Sequence, residues 1–173
     1  RVGEIILQRH PTLNTTSSLF DFGAIVAAAS LAHDLGNPPF GHAGEAAIGD
    51  FFSHYPRGQS FQEKVNPAEW SDLIKFEGNA QGFRILTRNQ YGLKLTYATL
   101  GAFTKYPCPA LFPTRDTTKR SQKKFGFFQT EKDIFREVVT QLELNPASDF
   151  VSGRHPLAFL VEAADDICYS IID

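Results

Sequence analysis

Residues 25–45 read IVAAASLAHDLGNPPFGHAGE, and the fold of the chain turns on how they are read. Ile25, Val26, Ala27, Ala28, Ala29, Leu31, Ala32 and Leu35 leave almost no polar face, which predicts a helix buried on nearly every side. His33 and Asp34 stand at its end, adjacent and ionisable, and a carboxylate carried into an apolar interior needs a partner. Gly36-Asn37-Pro38-Pro39 then stops the helix, as Gly past the last turn and Pro just beyond it do. His42 and Glu45 follow, three apart in the first turn of a second helix and therefore on one face. Spacing alone leaves two readings. One is a hydrogen-bonded core histidine beside a solvated helix start, where the helix dipole favours Glu45. The other is a metal site with an acid/base pair next to it.

The string AHDLGNPPFGHAGE resembles the signature of the HD-domain phosphohydrolases and, among them, of the deoxyguanosinetriphosphate triphosphohydrolase family. The match falls on His33, Asp34, Gly36, Pro39, Phe40, Gly41, His42, Gly44 and Glu45, while Asn37 stands where many relatives carry a second His. A second string, FEGNAQGFRILTR at residues 76–88, has Phe83, Ile85 and Leu86 followed by Arg88, which suits a helix of about three turns. Glu77, Asn79 and Gln81 sit at its entrance, where ordinary capping by Asn79 is the plain reading. The same string resembles the family segment that borders the nucleotide, which implies a substrate contact for Asn79.

A third string closes the chain. In PLAFLVEAADDICYSIID, residues 156–173, Leu157, Leu160, Val161, Ala164, Ile167, Cys168 and Ile171 recur in steps of three and four, so the helix is amphipathic and turned to the core. Asp165, Tyr169 and Asp173 lie four apart and stack on another side, which is either a plain polar face or a site. EAADDICY again resembles the family, where this helix supplies the distal metal-binding Asp. That implies Asp165, with Asp166 as the alternative, and it implies Tyr169 and Asp173 around the deoxyribose, the ring packing where a 2′-OH would sit and the carboxylate accepting from the 3′-OH.

Taken together, the resemblance implies His33, Asp34 and Asp165 as ligands of Mg²⁺ or Mn²⁺, with Fe²⁺ a third candidate, since imidazole and carboxylate suit these ions and no thiol is offered. It implies His42 with Glu45 as the acid/base pair, the Glu orienting the imidazole. The reaction implied is hydrolysis of dGTP, or another dNTP, at the α-phosphorus to deoxynucleoside and triphosphate. In the family the first metal His lies in an R-x-x-H-S-like motif. Nothing in residues 1–18 matches it, and His10 sits in a His-Pro loop with different surroundings. With no Met and a last helical pattern without a stop signal, the 173 residues read as an internal segment of one HD domain. Such a segment lacks the upstream His and the C-terminal phosphate-binding region, and on its own is expected to show little activity. Homo-oligomers are a further implication of the resemblance.

The rest of the chain frames these strings. A composition of 42% hydrophobic residues over 173 positions supports one domain with a real core. A net charge of −2 gives no bulk attraction to nucleic acid. Cys108 and Cys168 lie far apart without CxxC spacing, which fits a reducing cytoplasm, and no apolar run has the length of a membrane span. Asp21 reads as the N-cap of the first apolar helix, residues 56–63 as a loop, and Thr130 with Asp133 as a capping box before a stripe of Ile134, Phe135, Val138, Val139 and Leu142. Residues 105–124 carry Arg115, Lys119, Arg120, Lys123 and Lys124. They read as a solvated loop, as a phosphate attractor or, with few interleaved aromatics to support it, as a single-stranded nucleic-acid surface. No repeat and no alternating strand pattern occurs, so the expected fold is all-α, an HD-domain helical bundle. The competing functions are another HD-domain nucleotide phosphohydrolase and a non-catalytic nucleotide or single-stranded nucleic-acid binding module.

Overall fold

Ser18 opens the helix that carries the first motif. Its hydroxyl and backbone N–H meet the Asp21 carboxylate at 2.7 and 2.8 Å while the Asp21 N–H returns to the Ser18 hydroxyl at 3.3 Å, a reciprocal capping box. Asp21 is therefore the third residue of the helix and Ser18 the cap, because the acid reaches back rather than standing first. The computed structural model describes the chain apart from residues 16, 89–91, 93, 145, 149–150 and 173 and apart from the side chains of 14, 146–148 and 172. In chain order the helices are α1 (Val2–Arg9), α2 (Leu19–Ala32), α3 (His42–His54), α4 (Pro56–Gln59), α5 (Pro67–Ile74), α6 (Gly78–Thr87), α7 (Tyr97–Phe103), α8 (Lys132–Gln141) and α9 (Pro156–Ile172). The fold is all-α. Where no sheet was expected, β1 (Pro146–Ser148) and β2 (Val151–Ser152) pair as a short antiparallel ladder leading into α9. Among the described residues no helix is long and apolar enough to cross a membrane.

Two apolar clusters hold these helices together. The larger takes Ala29 from α2, Phe83 and Leu86 from α6, Leu100 and Phe103 from α7, Phe135 and Val138 from α8, and Leu157 and Val161 from α9, with Phe127 stacked on Phe135 at 4.1 Å. α2 thereby packs against α7 and α9, which brings the first and third motifs side by side. The smaller cluster joins Ala80 to Cys108, Ala110, Phe112, Phe125, Phe128 and Val151. It draws part of the basic segment inward, so residues 106–110, Phe112 and Gln122 are buried, and the expected solvated loop is left to Leu111, residues 113–121 and Lys123. The Arg115 guanidinium is spent on the carbonyls of Ala110, Gln122 and Lys123.

Several expectations from spacing change on folding. α2 is not buried on nearly every side: only Ala29 is fully enclosed, and Leu31 is 89% exposed, because the packing of α2 against α7, α9 and the short α1 leaves part of its circumference uncovered. α9 behaves likewise, with Leu157 and Val161 in the core but Ile167 and Ile171 exposed beyond it. Residues 56–63 include the short helix α4 rather than a loop throughout, since Pro56 occupies a favoured first-turn position. The Thr130 capping box does not form. Its hydroxyl binds the Glu131 carboxylate and receives Arg84, and α8 begins after Glu131 without a side-chain cap. Its apolar stripe nevertheless packs as expected, through Phe135 and Val138 with Ile134, Val139 and Leu142 against them.

Asp72 on α5 is the most perturbed carboxyl of the scaffold. Oδ2 accepts the Gln129 N–H at 2.6 Å, but Oδ1 is buried with no hydrogen-bond partner among the described residues. Burial pushes its pKa up to about 7, against the opposing pull of the Gln129 N–H and the Arg84 charge. A carboxyl that holds its proton more tightly when folded adds stability that is complete below its ordinary pKa of 3.8 and is lost as pH rises through about 7. Asp72→Asn keeps the acceptor for Gln129 and removes the titration. The melting temperature of the variant relative to wild type is expected to climb between pH 4 and pH 7 and to level off above, as followed by circular dichroism across that range.

Candidate active site

The turn after α2 is held by a contact between backbones. A Cβ at Gly36 would lie 2.0 Å from the Gly78 carbonyl oxygen and 2.1 Å from the Gly82 nitrogen, so this position admits only Gly while the turn lies on the start of α6. Gly44 is as restricted, 2.1 Å from the Pro39 carbonyl oxygen. Phe40 and Gly41 both take positive φ, 68° and 54°, and reverse the chain into α3 with the Phe40 ring 91% exposed.

This packing sets His33, Asp34, His42, Asn79, Asp165 and Tyr169 around one cavity of about 540 Å³, whose lining also includes Lys105, Tyr106, Lys123 and Lys124. Of the residues singled out from sequence, Glu45 lies just behind this lining, and Asp173 falls outside the described residues. Asp165, rather than its neighbour Asp166, turns to His33. The lysines were legible as a basic segment but not as a wall. Glu162, which also lines the cavity, and Asn37 were not singled out, although Glu162 lies one turn before Asp165 on the same helix.

The His33 ring faces two ways. Nδ1 meets the Ser30 carbonyl oxygen at 2.7 Å, and since a carbonyl only accepts, Nδ1 carries the proton. Nε2 then faces Asp34 Oδ2 at 3.1 Å and Asp165 Oδ1 at 3.5 Å. A nitrogen lone pair pointed at two carboxylates is repulsive unless a cation, a proton or a metal ion, stands among them. Asn37 Nδ2 donates to Asp34 Oδ1 at 2.8 Å and orients that carboxylate. Among the described residues no three His, Cys, Asp or Glu side chains form a ready-made metal cage, so the cluster has the donors without the closed geometry. Its chemistry fits Mg²⁺, Mn²⁺ or Fe²⁺: one imidazole fixed through its second nitrogen by a carbonyl, and two carboxylates.

Glu45 does not pair with His42. Among the described residues no hydrogen bond or ion pair joins them, because the carboxylate is committed on its other side. Oε1 accepts the Gly78 N–H at 2.7 Å and Oε2 meets Lys124 Nζ at 3.3 Å. Lys124 also reaches Glu77 Oε1 at 3.0 Å, and Glu77 caps α6 and accepts from Asn79 Nδ2 at 2.7 Å. Glu77, not Asn79, is thus the cap. One ammonium ties together the helices that carry His42 and Asn79. Burial raises the Glu77 pKa, opposed by the Asn79 hydrogen bond and by Lys124. Burial works against the Lys124 charge, but Glu77 and Glu45 together outweigh it and its pKa is raised.

An all-α protein with a histidine–aspartate cluster and three lysines lining one cavity is what fold and site define. No family model matches the chain, but curated relatives do. It is 50% identical, over 99% of its length, to a deoxyguanosinetriphosphate triphosphohydrolase-like protein of Synechocystis. It is 44% identical over its whole length to one of Pseudomonas aeruginosa, and 37% identical over 88% to a deoxyguanosinetriphosphate triphosphohydrolase of Salmonella arizonae. The chain belongs to this deoxyguanosinetriphosphate triphosphohydrolase family. It spans 41%, 39% and 34% of those three relatives.

Lys124→Met leaves Glu45 and Glu77 facing each other without their cation. The expected loss is about 1–3 kcal/mol, below the figure for a fully buried pair because Lys124 is 26% exposed. Without Lys124 the Glu77 carboxyl holds its proton more tightly in the folded state, so the loss should be largest near pH 8 and shrink toward pH 5 in chemical denaturation.

Proposed function

We propose that this chain forms the substrate pocket of a metal-dependent dNTP triphosphohydrolase that cleaves dGTP, and other dNTPs, at the α-phosphorus to give deoxynucleoside and triphosphate. The observation that carries the reading is the meeting of His33, Asp34 and Asp165 with His42 and three lysines in one cavity. A divalent cation at the His33 cluster would supply charge to a phosphate oxygen and acidify a water. His33, Asp34 and Asp165 would hold it, with Ser30 and Asn37 keeping His33 and Asp34 in orientation.

Lys105, Lys123 and Lys124 would draw a triphosphate of about four negative charges into the same cavity. His42 lines the cavity, and no hydrogen bond or ion pair among the described residues occupies its imidazole. It is free to take a proton from an attacking water or to give one to the leaving oxygen. Glu45 serves the site by fixing α3 against α6 rather than by polarising His42. Tyr169 would pack against the sugar and Asn79 against the nucleotide.

The test is a product assay with a protein that carries this chain in full, using dGTP and Mn²⁺, with phosphate products separated by ion exchange. Deoxyguanosine and triphosphate are expected. His33→Ala should abolish both turnover and bound metal. His42→Ala should lower kcat by about 10²–10⁴-fold with the metal content unchanged. Pyrophosphate or orthophosphate as product would instead indicate another nucleotide phosphohydrolase, and retained dGTP binding without any product a binding module.

A further inference from the structure

Glu162 meets three cations. It stands on α9 one turn before Asp165, its side chain is 12% exposed, and it lines the same cavity. Oε2 accepts from Arg154 Nη1 at 3.0 Å, while Oε1 lies 3.3 Å from Lys105 Nζ and 3.7 Å from Arg120 Nη1. The three cations differ in freedom. The Arg154 side chain is 7% exposed and lies over the Phe159 ring at 5.5 Å, with Nε and Nη2 unpartnered among the described residues. A buried guanidinium with two vacant N–H groups cannot do without its carboxylate, so Arg154 both neutralises Glu162 and fixes it in place. Arg120 is mostly exposed and adds little. Lys105 is the cation of this set that lines the cavity, and it lies between buried and free.

We propose that Glu162, anchored by Arg154, is a positioning residue that holds the Lys105 ammonium against the cavity, so that the polyphosphate of a nucleotide meets a cation already in place. The inference rests on the nucleotide reading of this cavity. Because Arg154 cancels the Glu162 charge, the carboxylate costs the wall no net positive potential, and Lys105 is ordered before the ligand arrives rather than by it. A Lys on a flexible four-carbon stem loses more freedom on meeting a phosphate when nothing holds it beforehand.

The probe is inorganic tripolyphosphate, titrated into the purified chain by calorimetry. Glu162→Gln should raise Kd roughly three- to tenfold, as expected when one long side chain must be ordered on binding. Lys105→Ala should weaken binding too, and adding Glu162→Gln to it should change Kd no further. That non-additivity separates positioning through Lys105 from general loosening, which would weaken both backgrounds alike. Glu162→Gln strands the buried Arg154 charge, so if its melting temperature falls far, R154Q/E162Q, which removes the pair together, replaces it with the same expected Kd. Tighter binding by Glu162→Gln would show the carboxylate to be a competitor of the phosphate and overturn the proposal, as would additive effects. Weakening by Lys105→Ala alone, with none from either Glu162 variant, overturns the proposal and leaves the nucleotide reading standing. A wild-type chain that does not bind tripolyphosphate overturns both.

Discussion

The close approach of the Gly36 turn to the start of α6 is the constraint on which the site depends. With a carbonyl oxygen 2.0 Å and an amide nitrogen 2.1 Å from where a Cβ would stand, the two segments meet backbone to backbone, with the Asn37 side chain against Gly78. Contact at that range sets the positions of His33 and Asp34, just before Gly36, against Asn79, just after Gly78. Glu45 adds a hydrogen bond across the same joint, to the Gly78 N–H, from a helix that begins at His42. A turn of Pro38, Pro39 and two residues of positive φ delivers α3 to this position with little slack. The catalytic candidates are thus placed by main-chain geometry, and side-chain bonds then tune their directions.

Much of the architecture is legible in the sequence because it is local. The apolar run before His33, the Gly-Asn-Pro-Pro stop, the α8 stripe and the three-and-four steps of α9 each depend on residues within a few turns of one another. The convergence of His33 with Asp165 is not local, and only the resemblance of EAADDICY to a known pattern pointed to it. Glu45 shows where spacing misleads. Three residues from His42 on one helix face, it reads as a partner, yet its ammonium partner lies 79 residues on, at Lys124, and its amide partner 33 residues on, at Gly78. Local periodicity carries no information about such pairs. Burial is hidden for a related reason. An apolar stripe shows that a helix can be enclosed, and the elements packed around it decide whether it is, as the exposed Leu31 and Ile171 demonstrate.

Ions in this protein are arranged as a field rather than as isolated bridges. Glu162 lines the cavity while Glu45 and Glu77 lie outside its lining, and each is tied to a cation that lines it. These carboxylates stabilise the fold where the bridge is largely buried, as at Lys124, and less at the more exposed Lys105. They also fix position, since Lys124 and Lys105 are held in place instead of sweeping through solvent. Burial raises the Glu77 pKa, opposed by the Asn79 hydrogen bond and by Lys124, while Glu77 and Glu45 raise that of Lys124 against its own burial.

The net charge of −2 for the whole chain therefore says nothing about the cavity. In its lining Lys105, Lys123 and Lys124 outnumber Glu162, while Asp34 and Asp165 face a His33 nitrogen whose ring is already protonated on its other side. The cavity thus holds one group of side chains that calls for a cation and another that calls for an anion. A low-dielectric cleft concentrates such a field far more than the same charges would on an open surface. A metal ion at the first group and a polyanion at the second would each offset charge that the other leaves unbalanced, so on the proposed reading either would ease the binding of its counterpart.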